Sequence, residues 1–221
     1  MTWLKSKFET EGRVWIRNAL SEETLGELDE IASLQSKAGQ RVNPSVALSQ
    51  VFTTEGSLMR AIAMLDQRAH PVRTVAFNKS EGTNWGVPWH QDRFIAGAHR
   101  CEIDGYENWT NKSSTWHCEP LQSVLDEMLF VRVHLDATDR ENGAMEIAKG
   151  SHRHGIVPAA DAATIAHQHE IESCDADRGD ILILKMLTLH GSKPSKIKTD
   201  RRVLRIDFAS TDLPAPLKWT S

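Results

Sequence analysis

The sequence predicts a mainly β protein with flanking helices, built as a sandwich or jelly roll. Three observations carry this reading. Helical periodicity is confined to the N-terminal third, short strand-like runs separated by turn signals take over from residue 72, and the chain has the size of one domain. Its 221 residues, 40% hydrophobic and 25% charged, supply one packed core and are short for two. The expected division is a single domain over 1–221, with 1–71 as mainly helical support and 72–210 as the β core.

The elements follow in order. "LSEETLGELDEIASLQSKAG" starts a helix after Ser21, which is a suitable N-cap, and ends it before Gly39. Leu25, Leu28, Ile31 and Leu34 recur at helical spacing, so one face is apolar. A second helix begins at Ser57 in "SLMRAIAMLDQ". The strands are "VRTVAFN" (72–78), "WHQDRF" (89–94), "EMLFVRVHLD" (127–136), "AMEIAK" (144–149), "DILILK" (180–185) and "RRVLRIDFA" (201–209). "ENG" and "RGD" mark turns. Residues 96–120 read as a long loop rich in Trp, Tyr, Asn and His, a candidate lid.

Composition narrows the function classes. A formal net charge of -4 argues against gripping nucleic acid. No apolar run reaches the roughly 18–20 residues needed to span a bilayer, and the first twenty residues lack a signal-peptide core. Cys101, Cys118 and Cys174 are odd in number, with no CxxC pair, which points to a reducing cytoplasm rather than to disulfides or a zinc knuckle. The expected partner is a small molecule.

The chemistry begins in "NWGVPWHQDRF". In an extended strand His90 and Asp92 would project side by side, with Gln91 turned away. They could share a proton or hold a metal, and His190 in "LTLHGSKPSKIKTDRRVLRIDF" supplies a third ligand. Two histidines and a carboxylate match the facial triad of non-haem Fe(II) oxygenases. Arg201 stands eleven residues beyond His190 and offers a planar fork to a carboxylate, such as the distal one of 2-oxoglutarate. Ser192 could add a hydroxyl. Strand parity separates the two neighbouring arginines. Arg202 shares a face with Leu204, Ile206 and Phe208, whereas Arg201 shares the more polar face of Arg205 and Asp207, making Arg205 a second candidate anion contact.

Other residues admit two readings. Lys79 and Trp85 could line a pocket, or Trp85 could pack in the core. His117 could touch substrate or face solvent. Arg132 and His134 share a strand face that points either outward or into a polar cavity. His152 and His154 mimic a metal pair, but their Gly150-Ser151 setting reads as a turn, as does Asn142-Gly143.

"AFNKSEGTNWGVPWHQDRF", "ENGAMEIAKGSHRHG" and "LHGSKPSKIKTDRRVLRIDF", in this order and spacing, resemble the phytanoyl-CoA dioxygenase family from about Val72 to Phe208. The resemblance implies a double-stranded β-helix (jelly-roll, cupin-like) core that uses Fe(II), 2-oxoglutarate and O2. It carries the iron ligands onto His90, Asp92 and His190, and 2-oxoglutarate contacts onto Arg201, Ser192 and Val75. A further aromatic contact of the family has Trp109 as a candidate. Related halogenases lack the carboxylate ligand, so Asp92 implies hydroxylation of an unactivated C–H. The alternative is a non-oxidative jelly-roll module that binds a metal or small anion without turnover.

Overall fold

The computed structural model describes residues 3–33, 39–42, 48, 52–53, 56–79, 84–197 and 201–220. The order is α1 (Trp3–Glu11), β1 (Arg13–Ile16), α2 (Glu22–Ser33), β2 (Gln40–Arg41), α3 (Ser57–Leu65), β3 (His70–Lys79), β4 (Val87–His90) and β5 (Ile95–Gly97). There follow β6 (Glu107–Lys112), β7 (Thr115–Glu119), α4 (Gln122–Asp126), β8 (Met128–His134), β9 (Met145–Ala148) and a 3-10 turn, Ser151–His154. The chain ends with α5 (Ala162–Ala166), β10 (Ile171–Ser173), β11 (Ile181–Lys185), β12 (His190–Ser192) and β13 (Arg201–Ala209). Leu34 lies outside the described residues.

Two antiparallel sheets form the jelly roll. The larger has the order β1-β11-β8-β13-β3-β2 and the smaller β10-β9-β12-β4. All seven residues of β8 are buried, because helices cover one face of the large sheet and the small sheet faces the other. Alternation then sorts the side chains. Leu129, Val131 and Val133 of β8 join Leu204, Ile206 and Phe208 of β13 beneath Leu25 and Leu28 of α2 and Leu58 and Ile62 of α3. Met128 and Phe130 point between the sheets, with Leu182 and Leu184 of β11.

The N-terminal segment does more than supply helices. β1 pairs with β11 and β2 with β3, so it extends both edges of the large sheet. Four and two residues are too few for periodicity to reveal a strand. α2 does start after Ser21, whose Oγ accepts from the Thr24 amide at 3.2 Å. The helical layer is tied down by charge: Arg178 donates to Asp29 at 2.7 Å and to the Leu135 carbonyl at 2.6 Å.

Residues 96–120 are a correction. They do not form a loop but a three-stranded antiparallel sheet, β5-β7-β6, turning at Ser113 and Ser114, both with positive φ. Two successive residues in that conformation make the turn that matches strand twist. Serine gives a weaker signal for it than Asn-Gly. The sheet is docked on the core by Ile95, Tyr106 and Cys118, all nearly inaccessible.

Phe208, wholly buried and edge-on to Phe52 at 6.2 Å, links β13 to the helical side. Phe208→Ala is expected to cost about 3–5 kcal/mol, the range for emptying an aromatic site in a packed core. Urea denaturation of the metal-free protein measures it.

Candidate metal centre

β4 and β12 pair so that His90 and His190 are direct cross-strand partners, with ring centroids 4.3 Å apart. Each Nδ1–H donates to the carbonyl two residues earlier: His90 to Pro88 at 2.9 Å and His190 to Thr188 at 2.8 Å. A carbonyl only accepts, so the proton sits on Nδ1 and both Nε2 lone pairs are left for a ligand. Asp92 completes the group. Its Oδ2 lies 3.1 Å from His190 Nε2 and its Oδ1 3.9 Å from His90 Nε2. One ligand atom from each residue lies within 4.8 Å of the others. Two neutral imidazoles and a carboxylate are a donor set that fits a divalent transition metal and leaves adjacent positions open.

Asp92 reaches this position by a route that simple alternation does not describe. β4 ends at His90, and residues 91–94 are not strand. Gln91 does turn away, and it anchors the segment. Its Nε2 donates to the carbonyls of Gly155 and Leu187, both at 2.8 Å, and its Oε1 accepts from the Val157 amide at 2.8 Å. A buried amide satisfied on both ends fixes the backbone between His90 and Asp92.

Asp92 is also gripped from the large sheet. Arg205 Nη1 donates to Asp92 Oδ2, and Arg205 Nε to Asp207 Oδ1 at 2.6 Å. Asp207 in turn accepts from Arg73 Nε at 2.6 Å. Burial opposes the charge on Asp92, but Arg205 holds its carboxyl well below the usual range. Burial likewise opposes the Arg205 charge, and Asp207 and Asp92 raise its pKa above the normal value. His90 is lowered chiefly by burial. The sequence offered Arg205 as an anion contact, and the anions it meets are the protein's own.

The neighbouring arginines divide as parity requires. Arg202 donates to Asp136 at 2.7 and 2.8 Å and pairs with Asp29 of α2. Arg201, 4% exposed, faces the barrel interior, and its Nε and Nη1 have no hydrogen-bond partner among the described residues. Its register partner across the sheet is Lys79, whose Nζ donates to Ser192 Oγ at 3.2 Å and the Lys193 carbonyl at 2.9 Å. Burial, then Arg201 and Arg132, lower Lys79 to about 8. Gly143, at positive φ, fits against this corner, since a Cβ there would come 2.8 Å from the Lys193 carbonyl oxygen.

Val75 is half-buried, paired with Arg205 on one side and Arg41 on the other. Trp85 stacks under the Lys79 ammonium at 5.5 Å. Trp109 and His117 lie on the three-stranded sheet. Trp109 meets Trp116 edge-on and donates to the Tyr106 carbonyl at 2.9 Å, and His117 Nδ1 donates to the Thr115 carbonyl at 3.1 Å. His152 and His154 occupy the 3-10 turn after Gly150 and reach different partners, the Glu9 carbonyl and His169.

The chain matches the phytanoyl-CoA dioxygenase family over residues 8–203. It belongs to that family of Fe(II)- and 2-oxoglutarate-dependent oxygenases. A probable alpha-ketoglutarate-dependent hypophosphite dioxygenase of Stutzerimonas stutzeri is 31% identical over 101 residues, which cover 39% of this chain and 35% of that protein. Among solved structures, AviO1 from Streptomyces viridochromogenes Tue57 superposes with a TM-score of 0.65 at 17% identity, covering 96% of this chain and 95% of its own. The non-heme alpha ketoglutarate dependent epimerase SnoN from nogalamycin biosynthesis gives 0.67 at 14% identity, over 93% and 79%. HygX from Streptomyces hygroscopicus, with nickel and 2-oxoglutarate bound, gives 0.63 at 12% identity, over 95% and 87%. These likenesses identify the fold, a jelly roll that hosts several reactions. No described helix is long and apolar enough to cross a membrane.

Removing the bridge between Asp92 and Asp207 leaves one half-buried and one buried carboxylate short of a partner. Arg205→Met is expected to destabilise the metal-free protein by about 3–5 kcal/mol, read by urea denaturation, with Arg205→Lys intermediate.

Proposed function

We propose that the chain is a hydroxylase of a small molecule, holding Fe(II) through His90, Asp92 and His190 and 2-oxoglutarate through Arg201, Ser192 and Val75. The observation that carries this reading is the coexistence, in one barrel, of two inward Nε2 lone pairs beside an ionised carboxylate and a buried guanidinium with unpartnered donors. A binding module for metal alone has no use for the second feature, since a buried unpaired cation is costly unless an anion arrives.

Iron held by these residues would supply, with O2 and 2-oxoglutarate, the oxidising chemistry that releases succinate and CO2. The chain's own residues do the rest. The Nδ1 hydrogen bonds to Pro88 and Thr188 keep both imidazoles in the ligating tautomer. Arg205 holds one Asp92 oxygen, orienting the carboxylate and preserving its charge. Arg201 orients the co-substrate by its far end, with the Lys79–Ser192 pair beside it. Asp92 occupies the position that a halide would need, which favours oxygen transfer to the substrate. Phe130, 5.5 Å from the His190 ring, and Leu182 keep water from the inner wall.

The test is succinate release by the protein loaded with Fe(II) and 2-oxoglutarate in air. Hypophosphite, named in the relative from Stutzerimonas stutzeri, is one candidate substrate to add. His90→Ala and His190→Ala are expected to abolish turnover and stoichiometric Fe(II) binding with an unchanged circular dichroism spectrum. Full activity in either variant defeats the assignment. Arg201→Ala is expected to weaken 2-oxoglutarate binding by about 2–5 kcal/mol, the cost of truncating one side of a buried charge pair, whereas Arg202→Ala acts weakly on binding and mainly loosens α2. An equal effect at both positions refutes the role of Arg201.

A further inference from the structure

We infer that the inner end of the barrel, between Arg132, Arg201 and His134, is a pocket for a protonated tetrahedral oxyanion, and that hydrogen phosphate binds there in competition with the co-substrate. Binding itself stands on the groups below; the competition rests on the functional reading above.

Arg132 and His134 point inward from β8, 8% and 1% exposed. In register, Arg132 lies opposite Arg205, and His134 opposite Val203. The Arg132 guanidinium leans toward β3, 6.0 Å from the Phe77 ring, whose backbone partner is also Val203. It therefore leans from the level of Arg205 toward that of Val203, on the side of Arg201. Arg132 Nε, Arg201 Nε and Arg201 Nη1 are all buried and unpartnered among the described residues. The nearby carboxylates are committed elsewhere: Asp92 and Asp207 to Arg205, and Asp180 to Arg17 and two backbone amides. Burial and Arg201 lower Arg132 to about 9, the mark of a cation lacking its anion. One carboxylate is matched by one guanidinium fork, so two forks with Lys79 alongside exceed what the far end of 2-oxoglutarate can neutralise.

His134 decides which anion fits. Its Nδ1 lies 3.0 Å from Thr138 Oγ1, and that hydroxyl donates to the Asp136 carbonyl at 3.3 Å, so Nδ1–H is the donor in the first bond. The other nitrogen, Nε2, is then a bare acceptor, buried and unpartnered among the described residues. Burial and Arg132 keep the ring neutral, near a pKa of 3. The pocket thus offers several donors and one acceptor. A carboxylate or sulfate fills only the donors, whereas hydrogen phosphate accepts from the guanidiniums and donates its own O–H to His134.

The experiment is calorimetric titration of the metal-free protein with inorganic phosphate and with sulfate at neutral pH. One phosphate per chain is expected, with sulfate at least tenfold weaker. Arg132→Met should weaken phosphate at least tenfold, and because it removes a buried unpaired charge it should melt no lower than wild type in phosphate-free buffer. His134→Leu should abolish the preference for phosphate over sulfate. His190→Ala should leave phosphate binding intact, which separates this site from the metal centre. Absent phosphate binding, or binding indifferent to Arg132→Met, overturns the pocket. Equal binding of the two anions by the wild type overturns the role of His134. With metal present, phosphate should raise the apparent Kd for 2-oxoglutarate in proportion to its concentration, and independent binding of the two overturns the shared pocket. If 2-oxoglutarate does not bind at all, the functional reading fails while the phosphate result stands.

Discussion

The contact of Arg205 with Asp92 is the constraint on which the arrangement of the site depends. Arg205 belongs to β13, in the middle of the large sheet, and Asp92 to the segment that leaves β4 on the small sheet. The contact therefore sets the separation of the two sheets where His90, Asp92 and His190 converge. It is not an isolated ion pair. Arg205 spans Asp92 and Asp207, Asp207 also takes Arg73, and the Arg205 guanidinium lies 4.3 Å from the Phe130 ring. Phe130 in turn packs on His190. One buried cation thus orients the Asp92 carboxylate by hydrogen bonding and the His190 imidazole by packing. Such a network is stable only with every partner in place, since desolvation of each ion is repaid by its neighbours.

The arginines of β13 show how much one strand can divide its labour. Arg201, Arg202 and Arg205 lie within five positions, yet one has buried donors without a partner among the described residues, one fastens a helix and one fastens Asp92. Alternation accounts for the first separation, because Arg202 shares the face covered by α2 and α3. The second separation, between Arg201 and Arg205 on the same face, is set by what lies opposite. Arg205 meets carboxylates, and Arg201 meets Lys79. Burial lowers both Lys79 and Arg201, and at Lys79 the neighbouring Arg201 and Arg132 add to it.

Legibility followed regularity. The β13 strand was readable to the residue, because the seven residues from Arg201 to Asp207 alternate without interruption up to the register shift before Phe208. The helix after Ser21 was readable from its cap and stripe. The His90–Asp92 pair was proposed on strand parity, but β4 stops at His90. The two side chains converge because Gln91 locks the intervening backbone and Arg205 pulls Asp92 inward. Neither long-range partner leaves a mark in local sequence. The sheet of residues 95–119 was missed for a different reason. β6 is almost wholly exposed and polar, so it lacks a buried alternating face, and its Ser113-Ser114 turn carries no glycine. β1 and β2 were too short to show a period at all.

The direction of Arg132 and His134 is the instructive intermediate case. Period two places them on one face but cannot say which way that face points. The choice is made by the other face of β8, where Leu129, Val131 and Val133 are claimed by the helical layer. Once those three face the helices, Arg132 and His134 must enter the barrel, together with the more evidently internal Phe130. The polar character of the inner end is thus a consequence of where the helices dock. An interior that must accept an arginine and a histidine on these terms, with the local carboxylates already engaged, is arranged to receive negative charge from outside the chain.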